Sequence, residues 1–204
     1  MTVILLIRHG QNDMVGKRLA GRLPDVHLND DGKEQAERLA EALVELPIKA
    51  VFSSPLERAS ETAAPIAKAH CLSVEIVPEL LEINFGAWQG KTLKQLQRRK
   101  LWKKVQDEPA SVRFPEGESF AEAQTRVAQG LIAVSERFDG KDMVVCVSHS
   151  DIIRLAVAHF LGMPLDHFQR LRIDTASVSV LFLDGSKAYF AQVNNTFELP
   201  RFGD

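Results

Sequence analysis

The sequence predicts an α/β fold, a three-layer sandwich with a mostly parallel central sheet, and three observations carry that reading. Continuous apolar runs at 3–7 (VILLI) and 143–147 (MVVCV) have the character of strands buried on both faces. Segments with helical spacing separate such runs, as in Ala36, Leu39, Ala40, Leu43 and Val44. Strands alternating with amphipathic helices bury their apolar faces most simply as a parallel sheet covered on both sides. With 204 residues and regularly spaced apolar segments, residues 1–204 are expected to form a single domain.

The elements follow in order. The first strand ends abruptly at Arg8-His9-Gly10, and a mostly polar loop runs to Asp30. The first helix is expected to be capped by Asp30 or Asp31 and stopped by Pro47. A short strand at 50–52 leads into Ser53-Ser54-Pro55, with Pro55 near the first turn of the next helix. Residues 73–77 read as a third strand ahead of Pro78. Ser119 and Glu122 make a capping-box pattern before Ala123, Val127, Leu131, Val134 and Phe138. After the strand at 143–147, Ser150 is the predicted cap of a helix that runs to Gly162. Two apolar stretches, 178–183 and 188–193, flank Asp184-Gly185 and read as a hairpin. Residues 85–117 fit no sheet element and are expected to form a lid-like excursion.

Bulk properties exclude several function classes. A formal net charge of -2 supplies no positive field for nucleic acid. The run at 3–7 is far too short to be a leader or a membrane span, so no membrane partner is expected. Cys71 and Cys146 fit neither a disulfide framework nor a zinc site by spacing. These features point to a soluble, cytoplasmic protein; they say nothing of its oligomeric state.

In an open parallel sheet, ligands bind outside the carboxyl ends of the strands. Arg8 and His9 follow the first strand, Arg58 lies one turn into the helix after the second, Glu82 trails the third, and His149 closes the strand at 143–147. Each residue alone has a plain structural reading: a core histidine, a helix-surface ion pair of Arg58 with Glu61, a solvated glutamate. Five such groups at strand ends are improbable as independent decoration. The set fits phosphoryl transfer. Guanidinium forks match phosphate oxygens, a neutral imidazole can attack phosphorus, a second histidine can hold the equatorial oxygens, and a carboxylic acid can protonate the leaving oxygen. The helix opening at Ser150 adds backbone N–H groups and a favourable dipole. Two histidines and a carboxylate could also bind a metal, but two adjacent arginines would repel the cation. The basic residues Lys94, Arg98, Arg99, Lys100, Lys103 and Lys104 are read as a solvated helix face, and Trp88 and Trp102 as packing.

Several motifs together resemble the histidine phosphatase superfamily, whose members include cofactor-dependent phosphoglycerate mutases. They are Leu6-Ile7-Arg8-His9-Gly10-Gln11, Leu28-Asn29-Asp30-Asp31-Gly32, Ser53-Ser54-Pro55-Leu56-Glu57-Arg58-Ala59, Glu82-Ile83-Asn84-Phe85-Gly86-Ala87-Trp88-Gln89-Gly90, Pro115-Glu116-Gly117-Glu118-Ser119 and Val147-Ser148-His149-Ser150. The resemblance implies that His9 is the phospho-acceptor, Arg8 and Arg58 the phosphate clamp, His149 a second phosphate ligand and Glu82 the acid/base. It also implies the phosphoglycerate mutase-like sandwich, no metal, and no cofactor. The sequence departs from the family at three places: Asn12 stands where Ser or Thr is usual, Val15 where Asn is usual, and Ser150 where Gly is usual. Asn12 and Ser150 are the further candidates for binding the substrate phosphate. The expected function is a phosphomonoesterase that works on a small phosphorylated metabolite through a phosphohistidine. Two alternatives stand beside it: a phosphomutase, which would need a longer water-excluding insertion than 83–117, and an inactive phospho-ligand-binding domain.

Overall fold

A computed structural model of the chain describes residues 1–185 and 187–196. Among them, six strands share one sheet: β1 (Thr2–Arg8), β2 (Ile48–Ser53), β3 (Val74–Ile76), β4 (Met143–Ser148), β5 (Val178–Asp184) and β6 (Lys187–Asn195), in the order β3-β2-β4-β1-β5-β6. The first four strands are mutually parallel, and the hairpin of β5 and β6 adds an antiparallel edge. The helices are α1 (Asp30–Leu43), α2 (Glu57–Ala69), α3 (Leu93–Gln97), α4 (Lys100–Asp107), α5 (Phe120–Ser135) and α6 (Ser150–Phe160).

Because side chains alternate along a strand, the uninterrupted apolar runs must feed two cores. Val3, Leu5 and Ile7 of β1 pack with Val145 and Val147 of β4 against Leu39, Ala63 and Ile66 of α1 and α2. Ile4, Leu6, Val144 and Cys146 face the other way, onto Val127 and Leu131 of α5 and Ile153 and Val157 of α6. The predicted mostly parallel α/β sandwich is therefore the observed architecture.

Two predicted caps are corrected. Asn29, not Asp30 or Asp31, caps α1: its side chain accepts from the Gly32 N–H at 3.0 Å, and both aspartates fall inside the first turn, where their charge suits the helix dipole. Ser150 is the first residue of α6 rather than its cap; His149 holds the cap position and makes no side-chain cap bond. The backbone turns one residue earlier because His149 is still extended, with φ -122° and ψ 160°. The Ser119–Glu122 capping box forms as expected.

Residues 85–117 contain α3, α4 and two short 3-10 turns, Gly86–Trp88 and Pro109–Ser111, and contribute no strand to the sheet. Trp88, Leu96, Val105, Val112 and Phe114 from this stretch join the α5–α6 core. The six basic residues between 94 and 104 are all exposed, as a solvated face requires.

Where the loop after β1 crosses the start of α1, two backbones nearly touch. A Cβ on Gly32 would lie 2.0 Å from the Gln11 carbonyl oxygen, and one on Gly10 would lie 2.6 Å from that of Gly32. Neither obstacle is a flexible side-chain tip. Gly32→Ala should therefore destabilise the chain by about 1–3 kcal/mol, the usual cost of overpacking, read as a lowered denaturation midpoint at unchanged slope.

Candidate active site

The register of the two central strands builds the site. Arg8 pairs with Ser148 across the β1–β4 ladder, so the next residues, His9 and His149, leave the sheet side by side. The His9 N–H continues the ladder to the Ser148 carbonyl at 3.0 Å, and the two rings lie 5.2 Å apart. Ser53 pairs with Val147, and one turn later α2 brings in Arg58. Thr62 locks α2 to the histidine loop: its hydroxyl accepts from the Gly10 N–H at 2.9 Å and donates to the Arg58 carbonyl at 2.7 Å.

Hydrogen bonding fixes both imidazoles. The Gly10 carbonyl can only accept, so the His9 Nδ1 that lies 2.7 Å from it carries the proton, and Nε2 keeps its lone pair. His9 is 5% exposed, and burial, then Arg58 and Arg8, hold its pKa well below the ordinary histidine value. Nε2 is thus unprotonated, with its lone pair available. At His149, Arg58 Nη2 donates to Nδ1 at 3.3 Å, so Nε2–H donates to Ser54 Oγ at 2.8 Å. Burial and the same cationic surroundings keep the wholly buried His149 neutral too.

The guanidiniums carry unspent donors. Arg58, 1% exposed, gives Nη2 also to the Gly21 carbonyl at 2.8 Å, yet its Nε and Nη1 are buried without a partner. Arg8 anchors Nη1 on the Ile173 carbonyl at 2.7 Å and leaves Nε unpartnered. A buried N–H without an acceptor is costly, and several at one place suit an anionic ligand.

Arg8, His9, Asn12, Arg58, Glu82 and Ser150 line one cavity of about 420 Å³; His149 is not part of its wall, and its ring is tilted 60° to that of His9. Asn12 uses its Oδ1 to accept from the Met14 and Val15 N–H groups, so only its amide N–H₂ could serve a phosphate. Ser150 directs its hydroxyl toward the Ile173 carbonyl at 3.4 Å. The Glu82 carboxyl is pushed up to about 7, first by burial and next by the Asp151 charge, against the Ile83 N–H, Arg58 and Arg8. A second hollow of about 440 Å³, between α1 and α2, carries no histidine or arginine and is lined by Glu37, Glu41, Val44 and Lys68 among others. Among the described residues no group of three or more His, Cys, Asp or Glu is placed to hold a metal, and no helix is long and apolar enough to cross a membrane.

Sequence reasoning missed the frame around Glu82. Arg126 donates to the Glu79 and Leu81 carbonyls at 2.7 and 2.8 Å, and Arg22 to the Glu82 carbonyl at 2.8 Å. Glu118 joins them, accepting from Arg22, Arg126 and the Asn84 N–H at 2.8–2.9 Å. All three bonds fall on Glu118 Oε1, which makes this carboxylate a brace between the two arginines and the Glu82 loop. Asp151 and Arg154, an ion pair at 3.0 Å that lines the cavity, were also missed, because i and i+3 charges on a helix ordinarily mean nothing more than surface.

Residues 4–196 match the histidine phosphatase superfamily, branch 1. Phosphoserine phosphatase 1 of Hydrogenobacter thermophilus is 32% identical over 206 residues, covering 99% of this chain and 96% of that protein. Among solved structures, YhfR of Bacillus stearothermophilus superposes with a TM-score of 0.89 at 25% identity, over 97% of this chain and 100% of that one. The phosphoserine phosphatase of Entamoeba histolytica, in complex with 3-phosphoglyceric acid, gives 0.85 at 27% identity, over 96% and 98%.

Glu118→Ala removes the acceptor shared by two partly buried arginines. It should cost about 1–3 kcal/mol of stability, as expected for stranded donors, and raise the hydrogen-exchange rates of the Ile83 and Asn84 amides above those of β1.

Proposed function

The chain belongs to the histidine phosphatase superfamily, and we propose that it hydrolyses phosphomonoesters through a phosphoenzyme on His9. The observation that carries this reading is the pairing of a neutral, lone-pair-bearing Nε2 on His9 with unspent N–H donors on Arg8 and Arg58. In the first step Nε2 attacks phosphorus, the P–O bond to the leaving group breaks, and Glu82 gives its proton to the departing oxygen. In the second, the Glu82 carboxylate takes a proton from water as its oxygen attacks phosphorus, and the P–N bond to His9 breaks. Arg8 and Arg58 neutralise the phosphoryl oxygens throughout, with Asn12 and Ser150 at the same cavity wall. His149 has committed its single N–H to Ser54, so donation to the phosphoryl group requires a second proton, which a bound dianion favours.

A carboxyl that titrates near neutrality suits a group that acts as acid and then as base. A module that only binds phosphorylated ligands needs the arginines but neither that acid nor the free Nε2, and the binding reading is set aside on this ground. The substrate is a small phosphorylated molecule, and residues 85–117 serve as the lid over the leaving group. We place the reaction as hydrolysis rather than mutase transfer because this segment is short.

The deciding measurement is a rapid quench with ³²P-labelled substrate. An acid-labile, base-stable phosphoenzyme is expected in the wild type and none in His9→Ala; label that persists in the variant refutes the mechanism. Scoring released phosphate and isomerised phosphoglycerate in one reaction separates hydrolysis from mutase transfer.

Glu82 also sets a pH dependence. Its acid role needs the protonated form, so kcat for an alkyl phosphate should fall as pH rises through about 7. Glu82→Gln should lower kcat on alkyl esters by roughly 100-fold and abolish that limb, while the pre-steady-state burst with p-nitrophenyl phosphate, whose leaving group needs no proton, suffers far less.

A further inference from the structure

The cavity beside His9 does not end at its phosphate-binding groups. A recess of about 230 Å³ continues from it, and Leu19, Phe85, Leu93, Asp151 and Arg154 are walls common to both. Beyond them the recess is walled by Trp88, Trp102, Val105, Phe114 and Phe120. Trp88 and Trp102 lie nearly parallel, 19° apart with centroids at 6.2 Å, and Phe114 meets Trp88 edge-on at 5.3 Å. Trp102 and Val105 belong to α4, so the segment that lacks any place in the sheet supplies the roof.

The polar groups at this recess are few: Gln106, Gln169 and the Asp151–Arg154 pair, with Arg154 Nε buried and unpartnered. Asp151 and Arg154 pair with each other, and Gln169 donates to the Val105 carbonyl at 3.1 Å. The volume corresponds to about eight waters at liquid density, more than these few polar groups can partner, and an apolar group that displaces such water gains affinity. The walls are aromatic faces around a compact space, which suits a ring better than a long chain.

We propose that this recess is a leaving-group subsite, and that the favoured substrate is a phosphomonoester whose alcohol carries a compact apolar ring reaching past the Asp151–Arg154 pair. The inference rests on the phosphatase reading, which supplies the position of the phosphate.

Phosphonates carry the same anionic head on a C–P bond that this chemistry does not cleave, so they report binding alone. Titration calorimetry with propylphosphonate, 3-phenylpropylphosphonate and linear nonylphosphonate needs no turnover, which keeps failure of the subsite distinct from failure of the reaction. In the wild type, 3-phenylpropylphosphonate should bind at least about tenfold tighter than propylphosphonate, as burial of a ring implies, and tighter than the linear chain of equal carbon number. Trp102→Ala, which opens the recess, and Val105→Trp, which fills it, should each shrink the phenylpropyl preference to about threefold or less. Equal affinities of the propyl and phenylpropyl compounds overturn the subsite. A linear chain that binds as tightly as the ring overturns its assignment to a ring. A preference that survives in both variants places the ring elsewhere and overturns the location. If the ring is preferred but no phosphoenzyme forms on His9, the phosphatase reading fails and the recess stands only as a binding site, which overturns its leaving-group role.

Discussion

The ladder between β1 and β4 is the constraint on which the site depends. Parallel pairing aligns strand ends, and the pairing of Arg8 with Ser148 delivers two histidines from positions 140 residues apart in sequence to one spot. A slip of one residue would turn every apolar side chain of β1 to the opposite core as well as separating the rings. The site geometry is therefore protected by the packing energy of two hydrophobic layers. Thr62 and the Gly10–Gly32 crossing extend that rigidity into the loop that carries His9.

Charge does two things at this position. The guanidiniums of Arg8 and Arg58 sit where an anion would lie, and the same cations help keep His9 and His149 unprotonated. The Nε2 lone pair of His9 is therefore free of a proton. Glu82 responds in the opposite sense: the arginines favour its ionised form, but burial and Asp151 outweigh them, and the group stays near its midpoint at neutral pH. One cluster of cations thus coexists with a neutral base and a neutral acid, because desolvation acts against charge at all of these groups.

Much of this was legible in the sequence. The apolar runs disclosed β1 and β4, and His9, His149 and Arg58 followed from their places at strand ends. The legible features were periodic or local. Asn29 was overlooked as a cap because two aspartates followed it directly, and cap choice turns on a backbone angle that composition does not show. The brace of Arg22, Arg126 and Glu118 was hidden for a different reason: its members come from a loop, a helix and a turn, and they mostly grip backbone carbonyls, which carry no sequence signal. The recess beneath α4 was likewise invisible, since Trp88 and Trp102 as residue types announce packing whether or not the packing leaves a space.

The anchor of Arg8 on the Ile173 carbonyl has a temporal side. Ribosomes release chains from the amino end, so Arg8 emerges 165 positions ahead of its acceptor. His149 too arrives late, and the strand that flanks β1 on its far side, β5, begins only at Val178. A nascent chain can form α1 and α2 early, but the Arg8 anchor stays unmade until Ile173 has emerged. Termination before Ile173 yields a polypeptide that carries His9 but has neither the Arg8 anchor nor β5 beside β1.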